Sequence, residues 1–155
     1  MDPFAELLQE HNDMLLQLKK LNEAARLFSV NGYSARNLKQ IVSAMKFIEE
    51  EVRVHNRKEE KALFLVLERY VDGPTHIMRN EHKKLYARFL KLESAVERVK
   101  KHKDSFSAIK NLRTSAQQIV QLFVNHIHKE NHILFPLAQR FLSREILREI
   151  AKRMH

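Results

Sequence analysis

The 155-residue chain has no cysteine, two glycines and three prolines. Without cysteine there is no disulfide, thiolate zinc site, cysteine-ligated iron–sulfur cluster or cysteine nucleophile. So little glycine and proline cannot supply the turns of an all-β fold, and it excludes collagen-like and linker-rich architectures. No apolar run approaches the roughly 20 residues of a membrane-spanning helix. The start, Met1-Asp2-Pro3-Phe4, lacks the basic and apolar regions of a signal peptide. A cytoplasmic protein away from the membrane is therefore expected. Acidic residues are also in deficit: 19 Asp and Glu face 28 Lys and Arg, a formal net charge of +9. Much of the excess lies in residues 79–103, a basic stretch that can attract an anionic surface. No RNA-binding signature or zinc finger accompanies it, so nucleic acid is not an expected partner.

The rare breaking residues divide the chain. Pro3 can occupy the first turn of a helix. Asn31-Gly32 reads as a helix stop with Ser34 capping the next helix, and Asp72-Gly73-Pro74 as a second break. His102-Lys103-Asp104-Ser105 is a third break, and Ser143 can cap a short last helix over about residues 144–153. Between breaks the apolar residues keep helical spacing: Leu7, Met14, Leu18 and Leu21 in the first segment, Ile119, Phe123, Ile133 and Leu137 in the fourth. Short connections between long helices predict an all-α fold, an up-down-up-down four-helix bundle over about residues 4–140 with a short C-terminal helix. The whole of residues 1–155 then forms one domain.

Each apolar stripe is interrupted by polar residues. The second helix runs Ile48, Val52, His55, Glu59, Leu63, and the fourth runs Ile119, Phe123, His126, Glu130, Ile133. His11 and His82 interrupt the first and third. Four His and two Glu thus point into the core, where unpaired burial costs several kcal/mol in total. A metal ion compensates them. His-x-x-x-Glu puts both side chains on one helix face, one turn apart. One constant offset carries Glu10-His11 onto Glu81-His82, His55 onto His126, Lys58 onto Lys129 and Glu59 onto Glu130. Two equivalent hairpins about a pseudo-twofold axis bring His11, His55, Glu59, His82, His126 and Glu130 to mid-bundle. Imidazole and carboxylate donors without sulfur suit iron, with manganese or zinc also possible. Six ligands shared by two metals, with both Glu bridging, leave positions for dioxygen, peroxide or nitric oxide. Glu60, His128 and His132 fall away from this face and are expected to be solvated or, for the two His, packed beside Phe135 near the last helix.

These pieces resemble the hemerythrin-like, His-His-Glu cation-binding family: Glu10-His11, His55-x-x-x-Glu59, Gly73-Pro74 before Glu81-His82, and His126-x-x-Lys129-Glu130 running into Leu134-Phe135-Pro136. The resemblance spans about residues 4–140. It implies a four-helix bundle around a bridged non-haem di-iron centre that binds or senses oxygen, or handles nitric oxide and damaged iron centres. The oxygen carriers of that family have a second His one turn from the third-helix His, where this chain has Met78 and Tyr86, and an Asp where it has Glu130. Tyr86 and Met78 are therefore candidates for an extra ligand or a supporting contact. Three functional readings follow: a di-iron protein binding dioxygen or a related small molecule; a di-iron oxidase, peroxidase or stress-repair factor; and a metal-stabilised interaction module with a basic face.

Overall fold

The computed structural model describes residues 2–155, and these form helices without any strand. Helix α1 is Pro3–Asn31. Helix α2 is Ala35–Lys58, running on through a π-helical turn at Glu59–Leu63 into Phe64–Leu67. Helix α3 is Pro74–Lys101. Helix α4 is Phe106–Lys129, running on through a second π-helical turn at Glu130–Leu134 into Phe135–Phe141. Helix α5 is Arg144–Met154.

The ends are set by the residues that interrupt helical sequence. The Asp2 carboxylate accepts from the Phe4 amide at 2.9 Å, and Pro3 opens α1. Gly32, at φ 82°, closes α1 by donating its amide to the Phe28 carbonyl. Ser34, Ser105 and Ser143 each accept from the amide three residues on, capping α2, α4 and α5. Gly73, at φ 107°, turns the chain into Pro74. Short connections make α1 to α4 antiparallel neighbours. Close backbone contact runs along the α1–α2, α3–α4 and α1–α4 seams, whereas the α2–α3 seam has nothing comparable.

The core is in two parts. One apolar cluster fills the end nearest the α1–α2 and α3–α4 turns and includes Leu21, Phe28, Ile41 and Leu92. The other fills the opposite end, with Phe4, Leu67 and Phe135 packed beneath Ile150 of α5. A band of buried polar side chains lies between them.

The π-helical turns correct the expected helix face. In each, an amide bonds five residues back, Phe64 to the Glu59 carbonyl and Phe135 to the Glu130 carbonyl. The extra residue rotates everything beyond it. In α4 the inward face continues as Leu134 and Ala138, while Ile133, expected inside, is 62% exposed. The same rotation takes Phe135 away from the exposed His128 and His132 and buries it.

Candidate metal centre

Each long helix brings one His to the polar band: His11 from α1, His55 from α2, His82 from α3 and His126 from α4. Glu59 and Glu130 join them at the start of the two π-helical turns. All six are at most 6% exposed. They form two groups whose ligand atoms lie within 4.8 Å of one another: His11, His55, Glu59 and Glu130, then Glu59, His82, His126 and Glu130. Both carboxylates belong to both groups.

The atoms show how the carboxylates are shared. Glu59 turns Oε2 to His55 Nε2 at 3.2 Å and Oε1 to His82 Nε2 at 3.1 Å. Glu130 turns Oε1 to His11 Nε2 at 3.0 Å and Oε2 to His126 Nε2 at 3.4 Å. Each carboxylate therefore gives one oxygen to each group.

The outer ring nitrogens fix what the inner ones can do. His55 Nδ1 donates to Glu10 and His126 Nδ1 to Glu81, both at 2.8 Å. His11 Nδ1 donates to the Asn131 carbonyl oxygen at 2.6 Å, and His82 Nδ1 lies 3.4 Å from a Glu60 oxygen. With the proton held on Nδ1, each Nε2 presents a lone pair inward. His11 Nε2 and His55 Nε2 face each other at 3.0 Å, so without metal a proton on one of them must join the pair. Four lone pairs and four carboxylate oxygens converge, and most of these buried atoms lack a hydrogen-bond partner. Such an acceptor-only cluster demands cations. The donor set fits two metal ions, one in each group.

Without metal, protons fill that role. Burial alone lowers the His55 pKa, but the Glu59 charge and hydrogen bonds to Glu10 and Glu59 raise it to about 10. Burial likewise opposes the charged form of His126, and Glu130 outweighs it, raising the pKa to about 9. Burial raises the Glu59 pKa, but the neighbouring His55 charge dominates and holds the carboxyl well below its usual range.

A second layer supports the first. Lys58 bonds Glu10 and, at 2.9 Å, Glu6, while Lys129 bonds Glu81 at 2.6 Å. Burial works against the Glu10 and Glu81 carboxylates, but these Lys and His partners keep both below the usual range. Phe135 stacks on His11 with ring centroids 5.4 Å apart, and Phe64 stacks on His82 at 5.8 Å. These partners obey the offset that relates the halves, except at two pairs: Asn131 stands behind His11 where Glu60 stands behind His82, and Glu6, which bonds Lys58, has Ile77 as its counterpart.

The structure thus brings together all six residues picked out as ligands from the sequence. Glu60, expected to be solvated, is instead 33% exposed and faces His82. Tyr86 is 63% exposed at the edge of a groove between α2 and α3, and Met78 is buried in the apolar cluster beneath α5. The supporting roles of Glu10, Glu81 and Asn131 escape the sequence because each reaches a His on a different helix. The repeated Glu-His pairs were the available signal for the first two.

Comparison with known proteins adds two findings. The family model described as the hemerythrin HHE cation binding domain matches residues 2–138. The chain is also 25% identical over 134 residues to proteins named iron-sulfur cluster repair protein YtfE, from Yersinia pseudotuberculosis serotype IB (strain PB1/+) and Yersinia pestis (strain Pestoides F). These alignments cover 84% of this chain and 60% of each relative, so the chain spans about three-fifths of the relatives' length.

Proposed function

The chain belongs to the hemerythrin HHE cation-binding family, and from that premise we propose that it is a di-iron protein acting in the repair of damaged iron–sulfur centres. His11 and His55 would hold one ion and His82 and His126 the other, with Glu59 and Glu130 offering an oxygen to each. The observation that carries this reading is the sharing of both carboxylates by two His pairs. Two imidazoles and two carboxylate oxygens per ion are four protein donors, fewer than the six positions iron commonly uses. When bound, an iron pair supplies one-electron chemistry and open positions for a small molecule such as nitric oxide or dioxygen.

The chain's own residues prepare that site. Glu10 and Glu81 hold the imidazole protons on Nδ1 and keep Nε2 free as a donor atom. Lys58 and Lys129 keep those two carboxylates ionised. Phe64 and Phe135 cover two of the rings and exclude water from one end of the band. Repair is preferred to oxygen carriage because the named function of the YtfE relatives is cluster repair. The missing second His on α3 agrees with that preference.

The test has two arms. Protein loaded with ferrous iron and freed of excess metal is expected to contain two irons per chain. It is then mixed with a [4Fe–4S] hydro-lyase inactivated by nitric oxide, and hydro-lyase activity is expected to return. Glu59→Ala and Glu130→Ala are expected to restore none. Full iron loading with reversible uptake of dioxygen and no recovery of the hydro-lyase would overturn the repair reading in favour of oxygen binding. One iron or fewer per chain would overturn the paired site.

A further inference from the structure

The pseudo-twofold symmetry fails at one seam. The α1–α4 seam is closed: the two helices are in direct backbone contact, and Met14, Leu18 and Ile127 are buried, as is Phe123, which also reaches the floor of the groove on the far side. Its counterpart, α2–α3, holds a groove of about 840 Å³. The difference is written in the sequence. Where α4 has Phe123 and Ile127, α2 has Val52 and Asn56 at the corresponding positions. Where α1 has Leu15, packed against the core, α3 has the exposed Tyr86. Smaller or more polar side chains on α2, and a Tyr turned outward on α3, leave open on one side what large apolar ones fill on the other.

The groove has an apolar floor and a charged rim. Ile48, Leu85, Phe89 and Phe123 form the floor toward one end, where Glu49 and Arg53 border it. Arg57, Lys61, Arg79 and His82 line the other. The level of that second end is fixed by Arg79, which donates to the Glu60 carbonyl at 3.0 Å, and by the approach of Glu60 to His82. Arg79 is already paired with Glu68, and Glu60 faces His82 and Arg79. Arg57 and Lys61 form no ion pair among the described residues, although both border the groove. Arg53 also lines the groove, but with the Glu49 carboxylate four residues before it on the same helix, so an apolar floor bordered by Arg57 and Lys61 matches a ligand with an apolar body and an anionic head at their end.

We propose that the α2–α3 groove binds an amphipathic organic carboxylate. Its apolar body lies along Ile48, Leu85, Phe89 and Phe123, and its carboxylate meets Arg57 and Lys61. The site stands on the groove and its charges, so it applies to metal-free and metal-loaded protein alike, and it does not depend on the repair reading.

The probe is decanoate, measured by equilibrium dialysis against the full chain in both metal states, with 1-decanol and decyltrimethylammonium as partners of matched chain length. Decanoate is expected to bind saturably, one per chain, and about tenfold or more tighter than either partner. The double variant Arg57→Ala/Lys61→Ala should weaken decanoate about tenfold and leave decanol unchanged, with unaltered metal content. The double variant Val52→Phe/Asn56→Ile installs the residues that close the opposite seam, and it should abolish binding of both. Circular dichroism reports whether that variant folds; if it does not, the exposed-rim variant alone decides. Decanoate binding no tighter than decanol, no saturable binding, or decanoate affinity unchanged in the rim variant would each overturn the proposal.

Discussion

At the scale of single residues the centre is a competition between protons and metal. In the metal-free protein His55 has its pKa raised from an unfolded value of about 6.5 to about 10. A raised pKa means that the folded state holds the proton more tightly than the unfolded chain. Its stabilising effect is complete below about pH 6.5 and is lost as pH rises through about 10. Metal binding has the opposite slope, because each ion displaces protons from Nε2. The melting temperature of metal-free protein should therefore fall between pH 6.5 and 10, and the gap between loaded and metal-free protein should widen. Calorimetry in both states across that range checks it; a gap that narrows with rising pH would remove the proton–metal exchange. The second layer gives another prediction. Glu10→Gln keeps the size of the side chain but weakens its hold on His55 and Lys58, and should reduce metal affinity about 10- to 100-fold. Equilibrium dialysis of metal reads this directly. The six inward residues were legible because a polar side chain at a core position has no cheap explanation. Their supports were not, since pairing between Glu10 and His55 depends on how two helices face each other.

Helix ends were legible at the scale of elements, because caps and breakers act within a few residues of sequence. Ser34, Gly73-Pro74 and Ser143 each sit where the chain changes direction. The π-helical turns were not legible, because nothing in Glu59–Leu63 or Glu130–Leu134 departs from ordinary helical composition. A uniform period places Ile133 inside, whereas the inserted residue exchanges it for Leu134 and brings Phe135 onto the His11 ring. Both turns begin at a Glu of the site. The carboxylate thus stays on the face shared with the preceding His, while the segment beyond is re-aimed into the second apolar cluster. Two substitutions separate the uniform helix from the observed one. Phe135→Ala should cost about 3–5 kcal/mol, as for a fully buried aromatic, and Ile133→Ala within about 0.5 kcal/mol of zero. Urea denaturation of loaded protein measures both, and comparable losses at the two positions would contradict the inserted turn.

For the whole molecule, the polar band divides one bundle into two apolar cores. The cluster near the α1–α2 and α3–α4 turns draws on all four long helices, whereas the one beneath α5 is smaller and is completed by Ile150 and Met154. If metal binds as proposed, His11, His55, Glu59, His82, His126 and Glu130 would join the two ends through it. Metal at a hundred times its dissociation constant adds about 2.7 kcal/mol per site. Removing it leaves the band held by protons, on His55 and His126 above all, and by the ionised Glu59. The smaller end should then open first. Amide hydrogen exchange on metal-free protein should speed up in residues 59–67, in 130–141 and in α5. The stretches around Leu21, Ile41 and Leu92 should keep most of their protection. Restoring metal should return the two ends to similar protection. Equal acceleration along the entire chain would mean that the apolar clusters open as one unit, and that the metal ions hold the whole bundle rather than the join between its ends.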